Sequence, residues 1–139
     1  MAECCSGGVR LIYPCSGAAD VGEISDRVAR KLRDEGFAQM TCLAGVGANL
    51  SGFVMSAKGA DLNITIDGCP TACAKKAIER VGAMAQSYIL TDFGIEKGKT
   101  PPTDAVVENM CAAIKEASWT PQKERTETGA GNCSCGGEC

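Results

Sequence analysis

A chain of 139 residues, 45% hydrophobic and 22% charged, is long enough for one packed domain of ordinary composition. A net charge of −3, with no basic run longer than Arg30-Lys31 or Lys75-Lys76, argues against a nucleic-acid partner. No stretch reaches the roughly 20 apolar residues of a membrane span, and Met1-Ala2-Glu3-Cys4-Cys5 lacks the basic and apolar regions of a signal peptide, so a cytoplasmic location is expected.

Taken in chain order, Arg10 to Pro14 (RLIYP) is an apolar run between Gly8 and Cys15 and predicts the first strand. Asp20 and Glu23 have the spacing of a capping box. Val21, Ile24, Val28 and Leu32 follow at helical spacing until Gly36. Ala38 to Leu43 predicts a second strand, and Leu50, Phe53, Val54 and Ala57 a short helix ending at Gly59. Leu62 to Ile66, rich in β-branched residues, predicts the third strand. Pro70 suits the first position of a helix whose apolar face is Ala74, Ala77, Ile78 and Val81, with Gly82 as its stop. Ser87 to Thr91 predicts the fourth strand. After Pro101-Pro102, Val106, Val107, Met110, Cys111, Ile114 and Ala117 predict the last helix.

Four strands alternating with four helices imply parallel pairing, because each crossover returns the chain to the same edge. The expected fold class is therefore α/β: one Rossmann-like or flavodoxin-like domain over 8–118, followed by a flexible, cysteine-rich tail over 119–139. Strand order is not written in the sequence; 2-1-3-4 is the commonest for a doubly wound chain this short.

Ten cysteines and no histidine set the chemistry. Without imidazole there is no Ser-His or Cys-His nucleophile pair and no mixed Cys/His metal site. In a reducing compartment, cysteines at this density point to metal or redox chemistry rather than disulfides. Cys15 follows the first strand, Cys42 ends the second and Cys69 follows the third. In a parallel sheet these ends share one edge, and adjacent strands lie about 4.8 Å apart. Cys73, one helical turn after Cys69, supplies a fourth thiol, so Cys15, Cys42, Cys69 and Cys73 are the candidate ligands of one zinc ion at Zn–S distances of about 2.3 Å. A helix start at Pro70 would place Cys69 and Cys73 in its first turn, where free N–H groups favour thiolates.

Other motifs are weaker. Cys111 in an apolar helical stripe reads as packing. Gly45-Val46-Gly47 lacks the third glycine of a dinucleotide fingerprint, and Ser16-Gly17 lacks a P-loop lysine. Asp92-Phe93-Gly94 stands without other kinase elements, and Asp20 and Asp67 read as a helix cap and a turn residue.

At Ile66-Asp67-Gly68-Cys69-Pro70-Thr71-Ala72-Cys73-Ala74, with Tyr13-Pro14-Cys15-Ser16-Gly17 and Cys42 before Ala44-Gly45, the chain resembles the DGC domain family, small proteins for which zinc binding is proposed. The resemblance covers roughly residues 8 to 118. It implies an α/β domain with Cys15, Cys42, Cys69 and Cys73 as zinc ligands, and it implies no particular reaction.

Two further expectations lie beside the zinc reading. One is a thiol-disulfide or sulfur-transfer enzyme with Cys69 as nucleophile and Cys73 resolving it. The other is a second, looser thiol cluster of Cys4, Cys5, Cys133, Cys135 and Cys139, suited to soft metal or metalloid ions. A protein partner is not legible in the sequence.

Overall fold

The computed structural model describes residues 8–118. Cys4, Cys5, Cys133, Cys135, Cys139 and the expected tail lie outside the described residues. Four strands, β1 (Arg10–Pro14), β2 (Gln39–Met40), β3 (Leu62–Asp67) and β4 (Gln86–Ile89), form one parallel sheet in the order β2-β1-β3-β4. Five α-helices accompany it: α1 (Asp20–Asp34), α2 (Leu43–Gly47), α3 (Ser51–Gly59), α4 (Cys73–Arg80) and α5 (Asp104–Ser118). No helix among the described residues is long and apolar enough to cross a membrane.

The strands bury both faces, as parallel strands under helices must. Ile12, Ile64, Ile66 and Tyr88 face α1 and α5, packing on Ile24, Val28, Leu32, Met110 and Ile114. Leu11 and Tyr13, one residue out of phase, face α2, α3 and α4 through Val46, Ala57 and Ile78. This second layer is smaller and more polar. Tyr13, Thr65 and Ser87 stand side by side across β1, β3 and β4. Their hydroxyls, with Asn63 Oδ1, are buried and have no partner among the described residues. The Tyr88 hydroxyl of the first layer is likewise without a partner among the described residues, and each such atom costs about 1–3 kcal/mol.

Four sequence expectations change. The second strand is only Gln39–Met40, because the chain turns into α2 at Leu43 after one further ladder bond, Thr41 N–H to Ile12 O at 3.1 Å. The fourth strand ends at Ile89 and runs into a 3-10 turn over Leu90–Phe93, which absorbs Asp92-Phe93-Gly94. Asp20 forms no capping box; its carboxylate accepts the N–H groups of Val21 and Gly98 and pins the 94–100 loop against the start of α1. The third expected helix starts at Cys73 rather than Pro70.

Candidate metal centre

That displaced helix start is a consequence of the Asp67-Gly68-Cys69 segment. Asp67, 1% exposed at the end of β3, accepts the Ala74 N–H at 2.7 Å and the Lys75 N–H at 3.1 Å. It thereby satisfies two of the orphan donors at the start of α4 from outside the helix. Residues 68–72 must then loop out, and Ala72 closes the loop in the left-handed region at φ 52°. Burial pushes the Asp67 carboxyl up, opposed by those two N–H bonds. Gly68 passes so close to α1 that a Cβ there would lie 2.4 Å from Val21 O, so no other residue fits without shifting the backbone.

The loop also carries the thiols. Gly68 N–H points at Cys15 Sγ (3.4 Å), and Cys15 itself is fastened to β3 by its own N–H to Ile66 O at 2.9 Å. Ser25 donates its hydroxyl to Gly22 O, which leaves its oxygen to accept the Cys15 S–H at 3.2 Å. Cys42 is exposed just before α2, and Cys73 is exposed as the first residue of α4. Only Cys73 has the helix-terminal environment expected of both cysteines of the pair.

Cys15, Cys42 and Cys73 line one open cleft of about 780 Å³ at the C-terminal ends of β1 and β2. One wall is α1, with Asp26, Arg30 and Arg33; the other is α2 and α4, with Leu43, Ala44 and Ala77. Cys69 does not line it. Its sulfur lies 3.5 Å from Thr71 Oγ1 and 4.0 Å from Lys97 Nζ, and it packs at the margin of the α1–α5 core. The Thr71 hydroxyl and amide, and then Lys97, hold the Cys69 thiol below its usual range. Among the described residues, no three Cys, Asp or Glu side chains are gathered at metal-ligand spacing. The structure thus brings the four cysteines to one sheet edge, three of them into one cleft, without assembling them.

The donor set still fits a soft or borderline cation: four thiols and no competing imidazole, on loops and first helical residues. Four thiolates around Zn²⁺ carry a net charge of −2, and the two arginines at the rim, Arg30 and Arg33, are each already paired with a carboxylate. Arg30 Nε donates to Asp26 Oδ2 at 2.6 Å, and Arg33 Nε to Asp34 Oδ1 at 2.9 Å. Partial burial pushes Asp26 up, but the bonds from Arg30 and Ser16 prevail and hold it below the usual carboxylate range. Both arginines escape sequence reasoning, since at positions 30 and 33 they read as an ordinary solvated helix face; only the placement of α1 over the ends of β1 and β2 reveals them.

A family model described as the DGC domain matches residues 11–114. The anaerobic and virulence modulator AnvM of Pseudomonas aeruginosa is 31% identical over 88 residues, which cover 63% of this chain and 67% of that relative. No solved structure matches significantly.

Proposed function

The chain belongs to the DGC domain family, and on that premise we propose that it binds one zinc ion through Cys15, Cys42, Cys69 and Cys73, in an accessory role in metal, metalloid or sulfur handling. The observation that carries this reading is the shared cleft of Cys15, Cys42 and Cys73, with Cys69 one residue from the amide that points at Cys15 Sγ. Binding would draw the thiols together, as expected where a site is completed by its metal. A closed four-thiolate shell leaves no open position, which is the pattern of structural rather than hydrolytic zinc. The residues' own part is to release four protons and supply the sulfurs.

The rival reading, a thiol-disulfide or sulfur-transfer enzyme, draws on the lowered pKa of Cys69. It is weakened by the placement of Cys73, which opens on the cleft with Cys15 and Cys42 while Cys69 does not. Metal analysis of protein purified without added metal separates the two. About one zinc per chain, lost in Cys42→Ser and Cys73→Ser, is expected; a metal-free protein whose Cys69 and Cys73 cycle through a disulfide supports the rival.

A further inference from the structure

Residues 36–57 include no charged side chain, yet much of that stretch is exposed, and α3 buries only Ala57. Between α2, α3 and α4 lies a groove of about 440 Å³, which none of the cysteines lines. That volume falls in the range of small-molecule sites. Its apolar lining is Val46, 1% exposed, with the half-buried Val54, Ala77 and Val81. Lys58 and Arg80 are the charged residues that line it, and no Asp or Glu does.

Neither cation has a carboxylate or carbonyl partner among the described residues, whereas Arg27, Arg30 and Arg33 on α1 and Lys75 on α4 each have a carboxylate. The plainer role for Lys58 and Arg80 is to complement the dipoles of α3 and α4, in whose last turns they lie. That role needs none of their hydrogen-bond donors. The carbonyls of Ser56, Ile78 and Glu79 in those turns already accept the N–H groups of Ala60, Ala83 and Gly82, at 3.0–3.2 Å. Topology also places the two cations together. Since α3 leads into β3 and α4 into β4, both helices finish at the edge where those strands begin. Val54 stands one turn before Lys58 on the same helix face, so the apolar lining leads away from the charged end.

We propose that this groove binds a small monocarboxylate with an apolar chain. The carboxylate accepts from Lys58 Nζ and from the Arg80 guanidinium, and the chain lies along Val54, Ala77 and Val81 toward Val46. No bond is made or broken, and the site does not depend on the metal reading above.

Titration of the ¹⁵N-labelled full chain with octanoate, followed by amide chemical shifts, tests this. One octanoate per chain is expected, with shifts centred on 46–58 and 77–83. It should bind roughly tenfold more tightly than neutral 1-octanol, and acetate and inorganic phosphate, which lack the chain, should bind far more weakly. Ion pairs of exposed cations are individually modest, so Lys58→Gln and Arg80→Gln should each weaken octanoate roughly threefold and leave 1-octanol unchanged. The double variant should erase the preference for octanoate, and Arg80→Lys should keep part of it. Val54→Phe, which fills the groove, should weaken octanoate and 1-octanol alike. Far-UV circular dichroism of each variant reports whether the fold is intact. Equal affinity for octanoate and 1-octanol overturns the proposal, as does indifference to both cation substitutions. Shifts centred on 14–16 and 40–44 would place the ligand in the cysteine cleft and overturn it as well, and so would the absence of saturable binding.

Discussion

At the scale of single residues, environment separates two thiols of the same chain. Cys111 is 2% exposed between α1 and α5, and its sulfur faces Val28 O. Burial, with Glu35 adding to it, pushes its thiol up to about 11. Cys69 is partly exposed, and Thr71, ahead of Lys97, holds its thiol down. The thiolate is the reactive form. In metal-free protein at neutral pH, Cys69 should therefore alkylate readily while Cys111 stays inert until the domain unfolds. Thr71→Val should shift the Cys69 rate profile to higher pH. Mass-spectrometric mapping of the modified cysteines across pH checks both, and labelling of native Cys111 below pH 9 would contradict the packing. The sign for stability follows: the Cys111 thiol ionises earlier in the unfolded chain, so its contribution is present at neutral pH and is lost as pH rises toward about 11.

Among the elements, those with a strong period and a local stop signal were legible. The α1 pattern of Val21, Ile24, Val28 and Leu32 is all buried, and Gly36 ends the helix at φ 75°. Gly36 N–H bonds to Arg33 O and Phe37 N–H to Leu32 O, both at 2.9 Å, the paired closure of a left-handed C-terminal cap. A Cβ at Gly36 would meet nothing within 4 Å, so Gly36→Ala isolates backbone strain. It should cost about 1 kcal/mol, an order-of-magnitude figure, readable as a lowered urea midpoint with an unchanged slope. Where a distant group decided the outcome, the sequence was silent. Pro70 obeys a sound local rule, but Asp67 supplies the capping acceptors from β3 and moves the helix start to Cys73. The apolar run through Leu43 fits a strand or a short helix equally, and only packing against α3 and α4 selects α2. The strand-end cysteines were legible because a parallel sheet sorts strand ends by topology alone. The outward set of Cys69 was not, because it depends on the looped path of 68–72.

For the whole molecule, the candidate centre lies beside the smaller of the two cores. On one side of the sheet, α1 and α5 share a continuous apolar core. On the other, α2, α3 and α4 cover a smaller core and a row of unpartnered hydroxyls, and α2 hangs from a strand of only two residues. A metal joining Cys42 and Cys73 to Cys15 would tie the α2 and α4 ends of that smaller layer to β1. Binding energies of about 10 kcal/mol or more at structural thiolate sites rival the stability of a whole domain, so the effect should be large and local. Hydrogen exchange of zinc-loaded and chelator-stripped protein should differ most over 41–50 and 68–80. Residues 20–34 and 104–114 should keep most of their protection, because their core does not depend on the thiols. Uniform loss of protection along the chain would mean that the metal holds the entire domain rather than this layer. No change at 41–50 would mean that Cys42 is not a ligand, leaving the edge strand to stand on its own two-residue ladder.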